Sequence, residues 1–152
     1  TNVGDIALDS ISADGSAITI SPPTTFSKSI IQPSGSITQS SSTITVDWSA
    51  GNFFTANLTA NLDTVQFQNV TVGQRILLRL NQTAATTRTW TNNDSDAFRG
   101  STATGTSNAD VRWAGGGTPP TITAGTNTGD LFGFICIAEA VYDGFVVGQD
   151  IK

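Results

Sequence analysis

Apolar and polar residues alternate in short runs along much of the chain. Ile44, Val46 and Trp48 share one face, and Thr43, Thr45 and Asp47 the other. Phe54, Ala56 and Leu58 repeat this against Thr55, Asn57 and Thr59. Val65 and Phe67 oppose Gln66 and Gln68, and Ile76, Leu78 and Leu80 oppose Arg75, Leu77 and Arg79. A period of two sends successive side chains to opposite faces of a strand, so these runs predict half-buried antiparallel strands with one wet face. Ser49-Ala50-Gly51-Asn52 and Val72-Gly73 fall between runs and predict turns. No stretch keeps apolar residues at helical spacing; Thr, Gly and Asn interrupt every candidate. The expected class is all-β: an antiparallel β-sandwich, jelly-roll-like, over residues 41–152.

The last two runs depart from this alternation. Leu131, Ile135 and Ile137 fall on one face and Phe132, Phe134 and Cys136 on the other. After Glu139-Ala140, a tight connection, Val141, Phe145 and Val147 oppose Tyr142 and Val146. A strand that is apolar on both faces requires cover on both, from a loop or from another subunit. The subunit is the favoured reading, with Phe132, Phe134, Tyr142, Phe145 and Val147 as the candidate interface.

Residues 1–40 read differently. Ile6-Ala7-Leu8 and Ser16-Ala17-Ile18-Thr19-Ile20 are short strands around an Asp14-Gly15 turn, and Ser21-Pro22-Pro23 breaks pairing. Residues 28–40 are rich in Ser and Gln and poor in large apolar groups. This segment is expected to be an arm that attaches to another protein.

Residues 91–109 form a long polar stretch, and such loops are often functional. Asp94, Asp96, Phe98 and Arg99 are its candidate contact residues. Asn92, Asp94 and Asp96 have calcium-loop spacing, but Ala97 and Ala103 stand where that loop needs Gly and Glu. The bland reading makes Phe98 the anchor of a solvated loop. Sequons at Asn57, Asn69, Asn81 and Asn93 are expected by chance in a chain this rich in Asn and Thr.

Composition narrows the chemistry. Net charge is -5, with seven Lys and Arg, which supplies no basic patch for nucleic acid or an anionic membrane. No apolar run approaches the ~20 residues that span a bilayer. The chain has no His, which removes Ser-His-Asp and Cys-His catalysis. Cys136 is the only cysteine and reads as a small buried hydrophobe. Asp47, Asp63, Asp110, Asp130 and Asp143 lie beside strand or turn signals without paired spacing. Gly115-Gly116-Gly117 lacks the helix and the Lys-Ser/Thr of a phosphate loop. No enzyme activity, metal or cofactor is expected.

Several of these pieces occur together in an order seen elsewhere. They are Asp47, Gly51-Asn52, Asn69, Gly73-Gln74, Gln82 and Arg88-Thr89-Trp90. Trp113 with Gly115-Gly116 follows, then Pro119-Pro120, Asp130 to Phe134, and Tyr142 to Gly148. In this order, residues 43–149 resemble the β-rich C-terminal domain of bacteriophage fibre and appendage proteins. Gly4-Asp5-Ile6-Ala7-Leu8 and Asp14-Gly15-Ser16-Ala17-Ile18 resemble β-rich fibre shafts. The stretch 91–109 departs from the family pattern as an insertion.

The resemblance implies a virion structural protein of an extracellular particle, usually homotrimeric and without a catalytic role. A tail fibre, a head fibre and a capsid decoration all fit. Its implied partners are copies of itself, other virion proteins through the arm, and, if it reaches the host, a surface glycan. The competing expectation is a carbohydrate-binding module or a secreted adhesin. Trp90, Trp113 and Phe98 beside Asp94, Asp96 and Arg99 would supply its sugar site, unless the two Trp are core residues.

Overall fold

The computed structural model describes residues 34–83, 87–91, 97–102, 105–108, 110–114 and 118–152. Most of the expected arm therefore lies outside the described residues, as do Asn92, Asp94, Asp96 and Ala103 of the calcium-like spacing.

Ten strands are described, with one short 3-10 turn at Trp48–Ala50 and no α-helix among the described residues. They are β1 (Ser34–Thr38), β2 (Thr43–Asp47), β3 (Phe53–Leu58), β4 (Thr64–Gln68), β5 (Arg75–Gln82), β6 (Phe98–Thr102), β7 (Gly105–Asn108), β8 (Asp110–Trp113), β9 (Thr128–Ala138) and β10 (Val141–Ile151). A six-stranded sheet has the order β1-β3-β5-β9-β10-β8, and a four-stranded sheet the order β2-β4-β6-β7. From β1 to β6 the chain therefore changes sheet after every strand.

This course makes β1, β3 and β5 parallel neighbours in one sheet, and β2, β4 and β6 parallel neighbours in the other. Only β5–β9, β9–β10 and β6–β7 are antiparallel. The all-β expectation holds, but uniform antiparallel pairing and a jelly-roll path do not. Parallel neighbours need a long crossover, usually a helix; here the crossover is a strand of the opposite sheet.

The expected arm reaches residue 40, yet Ser34–Thr38 is the edge strand of the larger sheet, paired to β3. Gln39 then anchors this end. Its buried Oε1 accepts from Thr59 N at 2.8 Å, and its Nε2 donates to Ala60 O at 3.1 Å. Residues 34–40 thus belong with the strands that follow.

The faces read from alternation agree with burial. β5 alternates strictly from an exposed Arg75 to a buried Gln82, and β2 and β3 alternate likewise. Inward side chains of both sheets form one cluster. Phe67 of β4 lies 5.0 Å from Phe134 and 5.0 Å from Tyr142, both in the larger sheet. Phe98 of β6 meets Trp113 at 5.5 Å and Phe134 at 5.4 Å. Tilted and edge-on ring pairs at such spacing add about 0.5–1.5 kcal/mol each beyond their buried area.

Two sequons have a structural reason to recur. Asn57 and Asn81 are register partners on adjacent parallel strands, and Asn81 Nδ2 donates to Asn57 Oδ1 at 3.2 Å. The repeated Asn-X-Thr marks equivalent positions in successive circuits of the chain.

Candidate functional site

The two sheets differ on their outward faces. The smaller one presents an exposed Thr45, half-buried Gln66 and Gln68, and an exposed Arg99, all polar. The larger one presents apolar side chains. Phe53, Leu77, Gly133 and Phe145 are register partners in one row across β3, β5, β9 and β10. Leu131 and Ile135 flank Gly133 on β9, both half-buried.

Gly133 is needed in that row. A Cβ there would collide with the Phe145 ring, so the ring lies across β9 where no side chain stands. This cross-strand cover of a glycine by an aromatic stiffens a position that is otherwise weak in a strand. It leaves Phe145 41% exposed, with Val147 at 49% and Ile137 at 38%; Val146, 42% exposed, is level with the core residue Phe132 and belongs to the other face. Beside the ring, Asn52, Phe53, Arg75, Leu77 and Ile135 line an open groove of about 630 Å³. A second groove of about 580 Å³, lined by Trp113, Pro119, Pro120 and Val146, meets the first at Phe145.

The candidate interface residues divide between two environments. Phe145 and Val147 are exposed on the sheet as expected of contact residues. Phe132, Phe134 and Tyr142 are not: each is at most 1% exposed and packs in the core of its own chain. The hairpin is apolar on both faces because one face is core and the other is surface. The outward Phe53, Leu77, Leu131 and Ile135 were missed as contact candidates. The signal was present, since each is a large apolar residue at an outward strand position.

The polar stretch also divides. Phe98 is 1% exposed and touches Phe67, Trp90, Trp113 and Phe134, so it is a core residue of β6 and not a contact residue. Arg99 is exposed on the smaller sheet, while Asp94 and Asp96 lie outside the described residues. Trp90 and Trp113 are 7% and 8% exposed, which leaves little ring area for a sugar to stack upon. Trp90 is fixed further by Nε1 donating to Pro120 O at 2.8 Å.

Three of the candidate carboxylates, Asp47, Asp143 and Asp130, have structural partners. Asp47 accepts from the hydroxyl and the backbone N of Ser49; that hydroxyl, then Asn69, holds its carboxyl below the usual range. Asp143 pairs with Arg112 at 2.7 Å on the outer face. Asp130, 1% exposed, accepts from Thr123 N and from Asp150 N, the latter at 3.1 Å. Gln82, equally buried, accepts from Arg88 N at 2.9 Å and donates to Thr123 O at 3.3 Å. Among the described residues no group of three or more acidic or Cys side chains is placed to hold a metal ion. No helix among them is long and apolar enough to cross a membrane.

Burial pushes the Cys136 thiol up, as expected of a core cysteine. Burial, then the neighbouring Cys136, raises Tyr142 to about 12. Tyr142 is the only tyrosine, so an ultraviolet titration reports it alone. The expected midpoint is about 12 in the folded chain, against about 10 in urea. Because the folded value is the higher, stability is full below pH about 10 and falls as pH rises towards 12. A folded midpoint of about 10 would place the phenol in water.

Comparison with protein-family models, with curated proteins and with solved structures gives no match.

Proposed function

We propose that the chain is a bacteriophage virion structural protein, an appendage component (tail or head fibre) or a capsid decoration. In this reading the protomer is a two-layer β-sandwich that assembles as a homotrimer and has no catalytic role. The supporting observation is the one-sided distribution of exposed apolar groups. Phe145 and Val147 stand in the open on the outer face of the larger sheet, while the outer face of the smaller sheet is polar. Leaving apolar area in water forgoes about 25 cal/mol per Å², and contiguous exposed patches mark sites of association. Buried Trp90 and Trp113 weigh against the sugar-binding alternative. In a virion the polar face is left for solvent or host, and the apolar face for the neighbouring copy.

Gold-labelled antibody raised against this chain, applied to phage particles from the same source, tests the reading by electron microscopy. Label on a fibre or on the capsid surface supports it and locates the protein. Label confined to bacterial surfaces, with none on particles, overturns it in favour of an adhesin.

A further inference from the structure

The larger sheet's outer face has charges as well as apolar groups, and their arrangement is uneven. The β5 side carries Arg75 and Arg79. The β9–β10 side carries Glu139 at the hairpin tip, Asp143 and Asp150. Most of these are engaged within the chain. Arg79 Nε donates to Asn81 Oδ1 at 2.8 Å, Asp143 holds Arg112, and Asp150 lies 3.5 Å from Lys152. The exceptions are Arg75 and Glu139. Both are exposed, and neither forms an ion pair among the described residues. Both also sit at the same end of the sheet: Arg75 is the register partner of Ile135, and Glu139 follows the end of β9. Ile135 and Ile137 lie between their levels on β9, and Leu77 and Phe145, level with Gly133, continue the apolar surface beyond Arg75.

From this we infer that the occupant of the apolar groove is a second copy of this chain, docked so that Arg75 of one copy meets Glu139 of the next. This deepens the assembly reading above and rests on it. An apolar surface that carries a free cation and a free carboxylate at one end can meet a second copy of itself with opposite charges facing. Every copy offers both halves of the contact, as repeated contacts in a closed symmetric assembly require. The apolar groups give the affinity, and the opposite charges fix which edges meet, because like charges brought together oppose docking. Phe145 is the anchor, since its ring already lies fixed across Gly133 and loses little freedom on contact.

Sedimentation equilibrium of the full chain tests this with five proteins: wild type, Phe145→Ser, Arg75→Glu, Glu139→Arg, and the double charge exchange. All three substituted positions are at the surface, so near-ultraviolet circular dichroism should show the native fold throughout. The expected result is an associating wild type, and a Phe145→Ser variant that is monomeric at the same concentration. Each single reversal should weaken association about tenfold or more, and the double exchange should restore most of it. Association that survives Phe145→Ser overturns the docking face and leaves assembly standing. Loss with Phe145→Ser, but no rescue by the double exchange, overturns the Arg75–Glu139 pairing. A wild type that stays monomeric at 100 micromolar (about a hundredfold above a micromolar affinity) overturns the assembly reading and this inference together.

Discussion

Replacing Phe98 with Ala should cost about 3–5 kcal/mol of stability, the range for deleting a fully buried aromatic. Domains of ordinary size have only about 5–15 kcal/mol in total, so this single change should leave the chain near its unfolding threshold. The reason is position. Phe98 carries β6 into the core, and its ring meets Phe67 on one side and Trp90, Trp113 and Phe134 on the others. Removing it leaves a cavity lined by four aromatic rings that cannot collapse into it. Urea unfolding followed by tryptophan fluorescence measures the loss directly. Arg99→Ala, one residue further on the exposed face, should shift stability by no more than about 0.5 kcal/mol. Exchanging residues 93–107 for a short Gly-Ser turn should prevent folding, since it removes all of β6, Phe98 included, and most of β7. Equal midpoints for wild type and Phe98→Ala would show that β6 is not packed against the larger sheet.

Asp130→Ala should be nearly as damaging, at about 3 kcal/mol. Its carboxylate is buried and satisfies two backbone N–H groups, those of Thr123 and Asp150. Hydrogen bonds to an ionised acceptor contribute about 1.5–3 kcal/mol, and removing the acceptor strands both donors. A loss of this size lowers the melting temperature by roughly 10 °C in a domain of this length. Asp130→Asn should recover only part of it, because one of the two oxygens becomes an N–H group facing another N–H. Hydrogen exchange provides a sharper readout: the amides of Thr123 and Asp150 should lose protection in both variants, ahead of those in β4. Unchanged protection at Thr123 would show that its amide has another acceptor.

The faces of the strands were legible because alternation alone sets them: Val46, Phe67 and Leu78 are all inward as their spacing predicts. Sheet membership and strand direction were not. A single strand alternates identically in a parallel and an antiparallel pair, so nothing in Thr43–Asp47 says that its neighbour is Thr64–Gln68 running the same way. Phe98 was misplaced because it is a lone aromatic in a polar stretch, and one inward residue has no period. The buried Gln39, Gln82 and Asp130 were unassigned as clamps for a related reason. Each is a polar residue at an inward position, and only the fold reveals which backbone groups meet it. Hairpin residues Phe132, Phe134 and Tyr142 were assigned to a partner because apolar faces on both sides of a strand were read as one surface. The core of the same chain takes one of those faces.

Strand β5 lies between β3, which precedes it in the chain, and β9, which starts at Thr128. During synthesis, the N-terminal strands leave the ribosome first, at about 5–20 residues per second. Until β9 follows, β5 has a bare edge of eight residues whose inward side is Ile76, Leu78 and Leu80. Such an edge is a template for pairing with the same strand of another nascent chain. The contacts that close it span long separations, which slows folding. Arg75 and Arg79 interrupt the outward side of this edge with charge. Low expression temperature, which slows off-pathway pairing, should therefore raise the soluble yield, and truncation before β9 should give aggregates.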